Sequence, residues 1–315
     1  MTLSLAAGID AGQKFLDVGF APSGKTFRVA NAPAGIANII QRLAAAGVKR
    51  VILEAIGPYA QRLVQALSLA GFEVGLVNPR RIKAFRDAEG LRAKTDRLDA
   101  RLIARFALVM QEAIRPLPSA EQMQLKALSL RRRQLVEMIA MEKTRLKQTD
   151  DPLLLESHRE VIADLSVLLV KIEAELQSRI ENDPELAKTL AILTSIPGIG
   201  QRIATLLITD LPELGKTDRK AIASLAGVAP HISQSGNMPP RASIAGGRPC
   251  VRTAAYMAAL VASRHNPNLK PEYDAMRNAG KPAKVALVAI ARKLLVTANA
   301  LVKSGQLFEK KKIAS

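Results

Sequence analysis

An α/β layer domain, then a long helical arm, then a mainly helical C-terminal domain is the fold class that three features of the sequence predict. Strand-like and helix-like segments alternate through the first hundred residues, the pattern of a layered α/β domain. Residues 119–180 are rich in Leu, Glu, Lys and Arg and contain no glycine. From Asp183-Pro184 onward, short apolar helical segments are separated by Gly and Pro turns. At roughly 150 residues per domain, a chain of this length holds about two domains plus connectors. The expected boundaries are 1–115, 116–182 and 183–315.

Five strands are expected in the first domain. Gly8 to Gly19, punctuated at Gly12, and Thr26 to Ala30 read as a short meander turned by Pro22-Ser23-Gly24. Asn31 to Gly47 reads as a helix opened by Asn31 and Pro33 and closed by Gly47. Val51 to Leu53 is a buried strand ending at Glu54. A helix from Pro58 to Ala70 follows, then a strand from Phe72 to Val77 stopped by Asn78-Pro79. Arg80 to Met110 is helical and basic, and Pro116 and Pro118 mark a boundary. In the arm, His158, Ile162, Leu165, Leu169, Ile172 and Leu176 form a heptad seam. Asp150-Asp151-Pro152 breaks the arm, so two antiparallel helices are predicted, with a plain helical layer inside one domain as the alternative. The seam needs a partner, which predicts self-association or a grip on RNA, with Arg131, Arg132 and Arg133 as a phosphate track.

Charge narrows the function. Forty-six Lys and Arg against 28 Asp and Glu leave +18, the electrostatic footprint of a nucleic-acid binder. Aromatic residues make up 3% of the chain and Trp is absent, so binding should rest on phosphates and shape instead of base stacking. No stretch approaches the roughly 18 to 20 uncharged apolar residues of a membrane span, and no basic leader precedes the first strand. A single cysteine, Cys250, and 3 histidines leave no disulfide framework and no zinc cluster, and the expected compartment is the reducing cytoplasm.

Chemistry-bearing residues fall in five places. Asp10, in Gly8-Ile9-Asp10-Ala11-Gly12, is an acid inside an apolar strand with small neighbours that leave room for a ligand; it could equally cap a turn. Glu54 is a second acid where an apolar run stops. Asp96 and Asp99, in Lys94-Thr95-Asp96-Arg97-Leu98-Asp99-Ala100-Arg101, lie three apart at the start of a helix for which Thr95 is the N-cap. Flanking Arg92, Lys94, Arg97 and Arg101 could simply neutralise that pair. Four carboxylates suit Mg²⁺, and two such ions about 4 Å apart can drive phosphodiester cleavage. Asp17 and Asp87 are set aside, since neither ends a buried run nor pairs on a face. Ile196-Pro197-Gly198-Ile199-Gly200 looks like a helix-hairpin-helix, in which Gly198 and Gly200 bring backbone N–H groups to a phosphate, although such a turn can be purely structural. Ser235, in a polar turn before Arg241, Arg248 and Arg252, could be a phosphoryl-transfer nucleophile; Ser-Gly turns are also common without one.

Together, Gly-Ile-Asp10, Leu53-Glu54-Ala55 and Lys94-Thr95-Asp96-Arg97-Leu98-Asp99-Ala100 resemble the DEDD tetrad of the insertion-sequence 110 family of transposases. The likeness continues through the arm to Pro-Gly-Ile-Gly and Ser-Gly and so spans nearly the whole chain. It implies a resolvase-like (RuvC-type) ribonuclease-H fold in which Asp10, Glu54, Asp96 and Asp99 bind magnesium. It implies that Ser235 becomes linked to a DNA 5′ phosphate. It also implies a structured bridge RNA that pairs with donor and target DNA, and related pilin-gene invertases share the layout. Asn237-Met238-Pro239-Pro240 departs from the Gly and Lys that commonly follow Ser-Gly, and keeps Ser233 as the runner-up nucleophile. Recombination of two duplexes favours a dimer or a dimer of dimers. The competing readings are a junction-resolving nuclease that uses water, a DNA invertase of the same fold, and a basic RNA-binding scaffold with no enzymatic role.

Overall fold

The computed structural model describes residues 5–54, 58–91, 95–110, 115–116, 118–233 and 241–309. The chain divides into two compact units, Met1–Pro118 and Ser119–Ser315.

The first unit is built on a mixed sheet. Strands β1 (Ala6–Ala11), β2 (Phe15–Ala21) and β3 (Thr26–Ala30) form an antiparallel meander, and β4 (Arg50–Glu54) and β5 (Glu73–Val77) run parallel to β1. A short β6 (Arg115–Pro116) pairs antiparallel with β5, giving the order β3-β2-β1-β4-β5-β6. The five expected strands are present, and β6 is an addition that a two-residue segment could not announce.

Side chains alternate across the strands, so each face has its own core. Ala7, Ile9, Leu16, Val18, Val51 and Leu53 pack with α1 (Pro33–Ala45) and α2 (Gln61–Leu69). Ala6, Ile52 and Val77 pack with α3 (Pro79–Ala88) and α4 (Asp96–Val109). Helix starts follow local chemistry. Asn78 accepts a hydrogen bond from the Arg80 amide with Pro79 in the first turn, and Thr95 Oγ1 accepts from the Leu98 amide at 3.3 Å, as the sequence predicts. Asn31 does not cap α1; Ala32 holds that position, and the Asn31 amide donates instead to the carbonyls of Gly12 and Tyr59.

Helix α4 lies directly on the sheet backbone. A methyl group at Gly8 would come within 2.2 Å of the Ala104 nitrogen, and one at Gly19 within 2.7 Å of the Ala100 carbonyl. The space beside Gly8 that the sequence suggests for a ligand is therefore filled by a helix. Backbone cannot swing aside as a side chain can, so Gly8→Ala should destabilise the first unit by about 3 kcal/mol, the upper range for overpacking. Urea unfolding of the variant checks this; an unchanged midpoint would refute it.

The second unit begins with the arm. Helices α5 (Ala120–Leu146) and α6 (Pro152–Glu181) are capped by Ser119 and Asp151 and form an antiparallel hairpin. The heptad seam of α6 is covered from within this hairpin: Leu135 and Ile139 of α5 pack on Leu165, with Ile162, Leu169 and Ile172 alongside. The expectation that the seam demands an outside partner is thereby corrected. Across it, Glu142 meets His158 at 2.7 Å and Arg132 meets Glu173 at 2.7 Å.

At the base of the hairpin, Leu125, Leu176 and Ile180 enter one core with α7 (Pro184–Thr194), α8 (Gln201–Asp210), α9 (Arg219–Ala226), α10 (Pro249–His265) and α12 (Ala283–Ser304). Buried Asp210 ties α5 to α8, accepting from Ser129 Oγ at 2.6 Å and Arg133 Nη1 at 2.8 Å. Helix α11 (Lys270–Asn278) lies against α10 and α12, and β7 (Pro230–Ser233) pairs with β8 (Arg241–Ile244) as a two-stranded ribbon. Helix α12 spans 22 residues and holds an 18-residue window of mean hydropathy 1.8, long and apolar enough by composition to cross a membrane, but Arg292 and Lys293 interrupt it, so the uncharged run expected of a span is not there. Ile290, Ala291, Leu294, Leu295 and Ala298 are instead buried in the core of this unit.

Candidate active site

Strand pairing assembles the acids of the first unit. Gly8 faces Ile52 and Ile9 faces Leu53 in the β1–β4 ladder. Asp10 and Glu54 each follow by one residue, so both leave the sheet on the face that α4 covers. Asp17 pairs with Asp10 across β1–β2, and Arg28 pairs with Asp17 across β2–β3. Because direct cross-strand partners share a face, this one row presents Asp10, Asp17 and Arg28 to the first turn of α4, which carries Asp96 and Asp99.

The electrostatics report the crowding. The Asp10 carboxyl is pushed up to about 6, first by burial and then by the negative charges of Asp96, Asp99, Glu54 and Asp17. Each α4 acid has a cation of its own. Asp99, only 6% exposed, is held by Arg86 of α3, and Asp96 accepts from Arg28 Nη2 at 2.8 Å. Asp17 is 2% exposed, and Arg28 Nε donates to both of its oxygens at 3.0 Å. Setting Asp17 aside with Asp87 is thus corrected: Asp87 is an exposed residue of α3, whereas Asp17 belongs to the acid row. The missed signal was an acid between Leu16 and Val18, which strand alternation turns away from their core toward the face of Asp10. Among the described residues, no three acids, histidines or cysteines are gathered closely enough to hold a metal ion as they stand, and the two α4 carboxylates lie on arginines instead.

Of the basic residues, Arg97 is exposed on α4, and Arg92 and Lys94 lie outside the described residues. Arg131 is exposed, but Arg132 is committed to Glu173 and Arg133 to Asp210, so these three arginines do not form one open track. Arg248 makes a two-point pair with Glu213 at 2.6 Å. In the turn between α7 and α8, Gly198 has φ +111° and a methyl there would meet Ala262 Cβ at 2.7 Å, while buried Asn266 donates to the Pro197 carbonyl at 3.0 Å. Gly198 therefore serves the fit of the turn against α10. Gly200 is different: it opens α8 without a side-chain cap, and a methyl at that position would meet nothing within 4 Å. Ser233 ends β7 opposite Arg241 of β8, and Ser235 lies in 234–240, outside the described residues.

Residues 7–152 match the transposase family DEDD_Tnp_IS110, and residues 190–274 match the Transposase IS116/IS110/IS902 family. The chain belongs to the IS110 family of transposases. It is accordingly an enzyme that cuts DNA. The transposase is 29% identical over 83% of its length to a pilin gene-inverting protein of Moraxella bovis, and the match covers 82% of that protein. It is 28% identical over 44% of its length to an insertion element IS110 protein of Streptomyces coelicolor, covering 34% of that chain. A solved structure of T. thermophilus RuvC with a Holliday junction substrate overlays 36% of the transposase and 99% of its own chain, at 20% identity and a TM-score of 0.27. At that score the overlay adds nothing to the assignment.

Proposed function

We propose that this transposase recombines DNA through a divalent-cation site made by Asp10, Glu54, Asp96 and Asp99 on a ribonuclease-H-like, RuvC-type sheet. Ser235 is its nucleophile, and a structured bridge RNA selects donor and target DNA. The observation that carries the reading is the convergence on Asp10: acids from β2, β4 and α4 all raise its pKa, so one face of the sheet concentrates negative charge that a cation would relieve. The donor set fits magnesium, since every candidate ligand is a carboxylate oxygen. When bound, divalent cations supply a Lewis acid for the attacking and leaving oxygens of a phosphodiester. Asp10 and Glu54 would hold them from the strand ends and Asp96 and Asp99 from α4.

The +18 charge and low aromatic content support RNA guidance, because a protein that leaves sequence reading to base pairing needs phosphate contacts more than base contacts. Exposed Arg97 and Arg131 and the open α8 terminus at Gly200 are the contact points the structure favours; Arg241 joins them from the sequence. A dimer or dimer of dimers in the cytoplasm completes the reading. DNA inversion is favoured as a second outcome of the same chemistry by the Moraxella bovis relative, whose name is pilin gene-inverting protein.

Cleavage of supercoiled DNA carrying the element ends tests the metal site. Cutting in Mg²⁺ that stops in chelator and returns when Mg²⁺ is restored is the expected result. Cutting that persists in chelator would overturn the proposal.

A further inference from the structure

The row Asp10, Asp17, Arg28 ends on a residue that the transposase assignment does not use. Arg28 occupies a fixed seat. Its Nε donates to both oxygens of Asp17 at 3.0 Å, its Nη2 lies 2.8 Å from Asp17 Oδ2, and its guanidinium carbon stands 5.3 Å from the centre of the Phe15 ring. Asp17 is 2% exposed, so it anchors Arg28 and is closed to solvent. The same Nη2 reaches Asp96 Oδ2 at 2.8 Å, on a side chain that is 65% exposed. One guanidinium thus joins a buried anchor to an open carboxylate that has been assigned to the cation site. Nη2 bridges the two carboxylates while Nε stays on Asp17, and a lysine side chain, which ends one bond short of Nη2 and has no second nitrogen, can occupy only the inner of these positions.

We propose that Arg28 is a positioning residue that acts as a tethered counter-ion for Asp96. It neutralises this carboxylate while the site is empty and must yield it when a divalent cation binds, so the Arg28–Asp96 contact sets the cation concentration at which the site fills. The proposal rests on the reading of Asp96 as a cation ligand. Arg86 plays the corresponding part on Asp99, but both partners are largely buried there, which makes that contact part of the packing. Arg28 is the exchangeable one, because its contact with Asp96 is exposed and weak while its contact with Asp17 is neither.

Arg28→Lys is the discriminating change. It keeps the positive charge and can keep the contact with buried Asp17, but its ammonium lies one bond nearer the backbone than Nη2 and so draws back from Asp96. Mn²⁺ binding to the full-length protein, measured without DNA by calorimetry and by the loss of the free-ion paramagnetic resonance signal, should tighten about threefold, as expected for freeing one exposed carboxylate from an ion pair. Against an Asp96→Asn background the same Arg28→Lys change should leave Mn²⁺ affinity unaltered, since the contact is already gone. Equal or weaker binding in Arg28→Lys, at an unchanged melting temperature, overturns the tethered counter-ion. So does an equal effect in both backgrounds, because a general field would explain it. If Glu54→Gln fails to weaken Mn²⁺ binding by the parent protein, the cation-site reading itself falls and Arg28 falls with it. If Glu54→Gln weakens binding and Arg28→Lys does not tighten it, only the proposal for Arg28 is lost.

Discussion

Asp10→Asn abolishes strand cleavage and makes the metal-free protein more resistant to heat at pH 8. Loss of one ligand of a two-cation site should cost on the order of a thousandfold in cleavage rate, comparable with the removal of one transition-state stabilising group. The stability effect has the opposite sign because the carboxyl is in an unfavourable place. Its pKa is about 6 in the folded chain against an ordinary 3.8, so folding favours the protonated form. The stability this contributes is complete below pH 4 and is lost as pH rises through 6. Asparagine, which never ionises, should match the parent near pH 4 and melt several degrees higher above pH 7. Melting curves across that range without divalent ions, together with a nicking assay in Mg²⁺, check both halves. Asp99→Asn should lose cleavage equally but melt lower, since it leaves the largely buried Arg86 without its carboxylate partner. An Asp99→Asn variant as stable as Asp10→Asn would contradict the ion pair, and full cleavage by either would remove the acids from the site.

Ser235→Ala removes the covalent protein–DNA adduct and recombination together while RNA and DNA binding persist. A serine hydroxyl holds its proton too tightly to attack a phosphodiester unaided, so it must act beside a base or a metal ion. Alanine deletes the attacking oxygen and little else, which makes the expected effect all or none. Trapping the reaction with denaturant and looking for protein linked to labelled DNA gives the readout, with salt-dependent RNA binding as the control for folding. An adduct from Ser235→Ala that Ser233→Ala abolishes would move the nucleophile to the end of β7. Undiminished cleavage without any adduct in the parent protein would mean that water attacks.

The parts of the site that were legible in the sequence are those written into local patterns. Asp10 and Glu54 stand out because apolar runs of period-two strands meet an acid there, and Thr95 because a capping residue precedes the pair Asp96 and Asp99. Asp151 and Asp183 announce α6 and α7 in the same way. Register is what local patterns lack. That Asp17 lies across from Asp10, and Arg28 across from Asp17, depends on how tightly the chain turns at Gly12 and at Gly24, and neither turn states it in advance. Arg86 is one basic residue among many in α3, and its partner on α4 emerges only when two helices meet on one sheet face. The arm shows the same division. Its heptads are plain in residues 158–176, but whether another molecule or α5 fills them is a question of tertiary packing, and α5, with a less regular pattern, fills them.

The seating of α4 on Gly8 and Gly19 bears on how this enzyme can change over generations. The height of the helix above the sheet is set where backbone touches backbone, with no side chain as a spacer. Exchanges among Ile, Leu and Val in the surrounding core can therefore accumulate without altering how far Asp96 and Asp99 stand from the strand ends. Tolerance of drift is thus spread over dozens of core positions and withdrawn from two. Lineages could diverge widely in sequence and keep the same spacing of acids, provided these two residues never acquire a β-carbon.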